Sequence, residues 1–280
     1  MNATSRMYED EDDLIQMQRL LMKGRGQTND WHYPHVGLLT WNFFLVLCHQ
    51  KPQDDIRLWQ DEQGELAGFA ILGEDPSIDW QVLPEFEWTG IEEDALAWAE
   101  GQVAELRRND PERWGDRLVS VSPEDDARRI ALLEKHGFTY RGKFAEVNML
   151  RTLDGPLPDV PLPPGFQVRA LAEHGEEQAR AAAERKVWLP YTVGNISGDD
   201  YAALMRLPGY ERELDIVALG PEGVIASYAN CWLDPANRIG DFGPVGALPA
   251  YRRRGLTRAV LLEGLRRMQA AGMDRVCVST

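Results

Sequence analysis

The sequence predicts an α/β fold of mixed sheets, built twice. Three observations carry this. Apolar runs of strand length alternate with amphipathic helical stretches, the same order of elements recurs in the two halves, and a proline-rich segment lies between them.

In the first half, residues 55–59 and 66–72 flank a turn at Glu62-Gln63-Gly64 and read as a hairpin. In the second, 215–219 and 224–229 flank Pro221-Glu222-Gly223. A third strand follows each hairpin, 78–83 running into Pro84 and 239–248 running into Pro249. A helix follows each proline, and then a further strand, 116–121 in one half and 274–278 in the other. The landmarks match at a nearly constant offset, so the expectation is a duplicated domain rather than two unrelated ones.

Residues 152–165 hold five prolines and two glycines. Proline fixes φ and removes a donor, so this reads as an extended linker. The expected organisation is a first domain at 1–151, a linker at 152–165 and a second domain at 166–280. Phe166-Gln167-Val168-Arg169 opens the second copy as a strand, and helical periodicity covers 175–188. The helix after Gly255 places Val260, Leu261, Leu265, Met268 and Ala271 on one face; its counterpart uses Ile91, Ala95, Ala99, Val103 and Leu106. Residues 36–48 are apolar but too short to span a bilayer, and read as a buried helix.

Composition narrows the function classes. The net charge is −15, which disfavours general nucleic-acid binding, because that rests on neutralising phosphate. The three cysteines, Cys48, Cys231 and Cys277, show no metal-ligand spacing, and the histidines are equally scattered, so no metal is expected. Sparse thiols fit a reducing compartment, and residues 1–12 lack the apolar core of a signal peptide. The expected location is cytoplasmic, with no membrane partner.

Against this acidic background stands Pro249-Ala250-Tyr251-Arg252-Arg253-Arg254-Gly255-Leu256-Thr257. Three arginines and a glycine open an amphipathic helix directly after a strand. Unpaired N–H groups and the helix dipole favour an anion there. Strand, proline, then Arg-x-x-Gly-x-Thr at a helix start resembles the GNAT superfamily of acyl-CoA-dependent N-acyltransferases, in a tandem-domain form. The element order matches over nearly all of both halves, while only the second half carries the motif.

The resemblance implies a site for acetyl-CoA. The amides of Arg253, Arg254, Gly255, Leu256 and Thr257 would cradle the diphosphate, with Arg252 or Arg254 adding charge. Thr257 departs from the usual Gly or Ala, and its hydroxyl is expected either to reach a phosphate or to crowd the loop. Such proteins splay the strand before the loop from the next one. Main-chain groups of Val245 and Ala247 would then pair with the pantetheine arm, and Gly243-Pro244 suits a bulge. Asp241 is the nearest acid on that strand and is the candidate base, with a solvent-facing role equally open. The tyrosine that often protonates the leaving thiolate has no counterpart before Thr280.

In the first half, Glu87, Trp88 and Thr89 replace the three arginines, and Glu92 replaces Thr257. Acidic groups there compete with a phosphate for the helix dipole. This copy is expected to supply packing or an acceptor wall, with Trp31, His32, Tyr33, His35, Trp188, Pro190 and Tyr191 as aromatic candidates. The first half also continues through a helix at 126–138 and a strand pair at 139–142 and 145–151 that the second half lacks. The second domain is therefore expected to be incomplete at its C-terminus, with an exposed sheet edge.

The reading is an N-acetyltransferase acting on a primary amine of a small, cationic acceptor, the acidic surface supplying the attraction. A mycothiol-synthase-like role and a homodimer stay open. The alternatives are a non-catalytic CoA-binding or regulatory module, and a scaffold with no CoA affinity.

Overall fold

The computed structural model describes residues 3–28, 31–73, 76–110, 117–142, 146–171, 175–189 and 196–279. The chain divides into two compact units. Unit 1 holds residues 1–34 and 49–145; unit 2 holds 35–48 and 146–280.

Unit 1 is built on a four-stranded antiparallel sheet. Its strands are β1 (Thr4–Met7), β2 (Ile56–Gln60), β3 (Leu66–Gly73) and β4 (Ser77–Val82), in that spatial order. Helix α1 (Glu11–Thr28) buries Leu14, Met17, Leu21 and Gly24, the i, i+3, i+7 stripe that helical geometry requires. The sequence reading did not include β1 or α1, although this stripe is present in the residues. The chain leaves this unit through α2 (Val36–His49), returns through the short α3 (Pro52–Asp55), and later forms α4 (Ile91–Asn109). Helix α5 (Ala127–Lys135) starts on Asp126, whose side chain accepts from the Arg129 N–H at 2.9 Å. Arg129 then reaches β4, pairing with Asp79 at 2.8 Å and lying 3.8 Å from the centre of the Trp80 ring.

Two expectations for this half are corrected. The strand at 117–121 reduces to one parallel bridge, Val119 with Ser77. Val119 and Val121 are exposed, so no apolar burial drives a longer ladder. Residues 139–142 form no strand, and Tyr140 is exposed. Asp116 and Ala145 lie outside the described residues.

Unit 2 carries a six-stranded sheet. Its members are β5 (Asn148–Thr152), β6 (Gln167–Ala170), β7 (Asp215–Leu219), β8 (Ile225–Asp234), β9 (Ile239–Ala247) and β10 (Arg275–Ser279), ordered β5-β10-β9-β8-β7-β6. Only β9 and β10 run parallel. Helices α6 (Glu177–Trp188) and α7 (Gly198–Leu204) pack on one face; α8 (Leu256–Ala270) packs on the other.

Segments from the first half of the chain complete this unit. Trp41 and Phe44 of α2 join a core with Leu171, Tyr201, Val217, Tyr228 and Trp232. Gly37 lets α2 approach: a Cβ there would lie 2.2 Å from the Trp232 ring. His35 Nδ1 accepts from the Gly37 N–H, so Nε2 carries the proton and donates to the Ile239 carbonyl at 3.2 Å. Strand β5 pairs antiparallel with β10 from Asn148↔Ser279 to Thr152↔Arg275. The edge of β10 expected to lie open is therefore occupied, by residues that precede the proline-rich segment. That segment lies on α8, with Leu157, Val160 and Leu162 packed on its core and Arg266 donating to the Pro158 carbonyl at 2.8 Å.

Candidate functional site

The strand, loop and helix from Ile239 to Ala270 assemble the site. Strand β9 pairs with β10 through Ile239↔Arg275, Gly240↔Val276 and Asp241↔Cys277. Among the described residues this pairing goes no further, and β10 itself ends at Ser279. On its other side β9 stays paired to β8 as far as Ala247↔Ser227. The register shifts between Ala229 and Cys231, opposite Gly243-Pro244, as a bulge does. Residues 242–247 thus have one edge of main chain held by β8 and one edge without a strand partner among the described residues. Val245 and Ala247 alternate with buried Gly246 along this stretch and are half-buried.

After β9 the chain makes a 3-10 turn, Pro249–Tyr251, and enters α8. Arg253 has φ 60° and Gly255 has φ 79°. Two left-handed residues separated by one turn successive N–H groups toward a common side, the arrangement that makes an anion cradle. Glycine suits the second position because an L side chain is strained there. Helix geometry leaves the first N–H groups of α8 without intrahelical acceptors. Arg252, Arg253, Arg254 and Gly255 are exposed. Arg252 Nε donates to the Ala247 carbonyl and Arg254 Nη2 to that of Ala250, each at 3.2 Å. Arg254 also lies 5.4 Å from the centre of the Tyr251 ring. Leu256 is buried and anchors the helix start in the core.

The Thr257 hydroxyl meets a second hydroxyl of the chain. Its Oγ1 lies 3.2 Å from Ser227 Oγ, inside the protein. Asp241 is buried rather than solvent-facing, at 7% exposure. The Cys277 sulfur lies 3.4 Å from the Asp241 Oδ1 and equally 3.4 Å from the Gly240 carbonyl, so its one proton serves one of the two. The acid stands at the last β9–β10 pair, on the face that Trp232 shares by cross-strand pairing.

The corresponding loop of unit 1 repeats the backbone and fills it. Trp88 has φ 61° and Gly90 φ 111° at the start of α4. Glu92 Oε1 accepts from the Trp88 N–H at 2.8 Å. The Glu92 side chain is only 2% exposed; burial pushes its carboxyl up, with the Trp88 N–H opposing. A carboxyl group of the chain itself thus takes the N–H that this loop offers.

The aromatic candidates divide. The Tyr33 hydroxyl donates to the Val82 carbonyl at 2.6 Å, and His35 is the structural tie described above, so both serve packing. Trp31 is exposed, and His32 lies 3.6 Å from Asp125. Trp188 ends α6. Pro190, Tyr191 and His174 lie outside the described residues. Among the described residues, no group of three His, Cys, Asp or Glu is placed to hold a metal, and no helix is long and apolar enough to cross a membrane.

Unit 2 also holds a buried ionic network that the sequence reading missed. The Arg180 guanidinium reaches Asp215 at 3.2 Å, Glu184 at 2.8 Å and Asn230 at 2.6 Å. It stacks 3.6 Å from the centre of the Tyr228 ring. The hydroxyls of Tyr201 and Tyr210 donate to Asp215. Burial pushes the Glu184 carboxyl up, and Arg180 only partly offsets that. The i, i+4 spacing of Arg180 and Glu184 was the visible signal.

No family model matches the chain. It is 30% identical over 228 residues to a mycothiol acetyltransferase of Kineococcus radiotolerans, covering 78% of this chain and 70% of that one. It is 25% identical over 225 residues to a mycothiol acetyltransferase of an Arthrobacter species, covering 77% and 66%. The chain thus spans about two thirds of the length of the curated relatives it matches. Among solved structures, a GCN5-related N-acetyltransferase from Sphaerobacter thermophilus superposes with TM-score 0.62 at 18% identity, over 99% of this chain and 86% of that one. A tandem GNAT protein from the clavulanic acid biosynthesis pathway superposes with TM-score 0.60 at 16% identity, over 100% and 90%. The structural likeness shows the fold, the sequence likeness shows the kinship, and the chain belongs to the GNAT family of acetyltransferases.

Proposed function

We propose that unit 2 transfers an acetyl group from acetyl-CoA to a primary amine of a small cationic acceptor. One observation carries the reading: strand β9 leads directly into a left-handed amide cradle flanked by Arg252 and Arg254. The cradle residues, Arg253 to Thr257, would hold the diphosphate through main-chain N–H groups. The open edge of β9, around Val245 and Ala247, would pair with the pantetheine amides as an added strand does. The thioester would then lie beside β9, beyond its last pair with β10, where a main-chain N–H would polarise its carbonyl.

The acceptor amine attacks in its neutral form. Asp241, directly or through water, takes the proton, and the departing thiolate of CoA regains one. Unit 1 carries no equivalent site on this reading, because Glu92 already neutralises its loop. The name of the curated relatives supports a mycothiol-synthase-like acceptor, and the excess of acidic residues supports a cationic one. The sparse cysteines, Cys48, Cys231 and Cys277, support a reducing, cytoplasmic setting.

Calorimetry with acetyl-CoA, followed by thiol release across a panel of amines, tests the reading. We expect one acetyl-CoA per chain, weakened by Arg254→Glu. Asp241→Asn is expected to keep that affinity and lower kcat by about 100-fold or more, the usual scale of general-base catalysis. Absence of acetyl-CoA binding overturns the reading. Binding with no turnover on any amine leaves a CoA-binding module instead.

A further inference from the structure

Thr257 stands at the second position of α8, Ser227 on β8 and Gly246 on β9. Ser227 is fully buried. Its Oγ lies 2.7 Å from the Gly246 carbonyl and 3.2 Å from Thr257 Oγ1. A serine hydroxyl carries one proton, and a carbonyl oxygen only accepts. The shorter bond therefore takes the Ser227 proton, and Ser227 is left to accept from Thr257. The Thr257 proton points inward, away from any anion in the loop. Gly246 is held from the opposite face as well: a Cβ there would lie 2.5 Å from the Tyr228 hydroxyl and 2.8 Å from Val187.

We infer that Thr257 is a positioning residue, tying the start of the phosphate-binding helix to the Gly246 carbonyl through Ser227. The inference rests on the acetyl-CoA reading and deepens it. Gly246 lies between Val245 and Ala247, the residues that would carry the pantetheine arm. The tie thus fixes the distance between the diphosphate anchor and the strand that aims the thioester. Because hydrogen bonding to the anion comes from main-chain N–H groups, the Thr257 hydroxyl serves register rather than phosphate binding.

The test compares two probes on the full chain. ADP samples the diphosphate cradle alone; acetyl-CoA samples cradle and strand together. Thr257→Val keeps the shape and removes the hydroxyl. We expect its ADP affinity to stay within about twofold, while its acetyl-CoA affinity falls about tenfold, the scale of one hydrogen bond. Thr257→Ser should restore acetyl-CoA binding. Ser227→Ala should reproduce the loss, and the double variant should lose no more than either single one, since coupled partners are non-additive. An equal fall for both probes would make Thr257 a phosphate ligand and overturn the inference, as would additive losses. If the unsubstituted chain binds neither probe, the acetyl-CoA reading itself fails. The same double-mutant cycle on Tm without ligand then decides the tie: additivity refutes it.

Discussion

Replacing Arg180 with methionine removes one buried cation from between two buried acids. Arg180, Glu184 and Asp215 have fully buried side chains. The methionine fills most of the volume, so the loss is electrostatic. Asp215 keeps the hydroxyls of Tyr201 and Tyr210, whereas Glu184 loses its 2.8 Å partner and Asn230 its 2.6 Å donor. Breaking a buried pair in this way costs about 3–5 kcal/mol. For a unit of this size that corresponds to a fall in Tm of about 10 °C.

The pH dependence has a definite sign. Burial already pushes the Glu184 carboxyl up, and without the guanidinium that opposes this, Glu184 holds its proton in the folded state at pH values where the unfolded chain has lost it. Stability then falls as pH rises through that window, and the penalty is smaller at pH 5 than at pH 7.5. Glu184→Gln on the Arg180→Met background removes the surplus carboxylate and recovers part of the loss. Scanning calorimetry of the three proteins at both pH values is the assay. An Arg180→Met protein that melts with the wild type, or a penalty equal at the two pH values, refutes the charge argument.

Other outcomes follow from single contacts. Gly246→Ala sets a Cβ 2.5 Å from Tyr228 Cζ and its hydroxyl, so it should destabilise unit 2 by about 1–3 kcal/mol in urea melts. Glu92→Ala leaves the Trp88 N–H without its acceptor, while Glu92→Gln keeps one; the alanine variant alone should lower the Tm of unit 1. Asp55 is pushed up to about 6, chiefly by burial and then by Asp54. A raised acid favours the folded state at low pH and loses that as pH rises through 6, so Asp55→Asn should flatten the Tm profile between pH 5 and 8. A variant whose profile keeps the wild-type slope would show that another group governs it.

The legible parts of this protein are those whose signals are local. Hairpins around Gly64 and Gly223 declared themselves by turn residues between apolar runs, and β9, the arginine loop and α8 by strand, proline and glycine in succession. The degeneracy of the first loop was visible as Glu92 in place of Thr257, although only the structure shows its carboxylate on the Trp88 N–H. The strand expected around Val119 was not realised, because β-propensity without burial stabilises no ladder.

By itself, the sequence determined the order of elements, the repetition of one plan and the turn of the arginine loop into a helix. Each depends on periodicity or on the backbone preferences of proline and glycine, which act over a few residues. Only the tertiary structure decided that α2 and β5 complete the second unit, and that the Thr257 hydroxyl lies against Ser227. These depend on which distant surfaces bury one another and where a single proton finds its acceptor, and no local pattern encodes either.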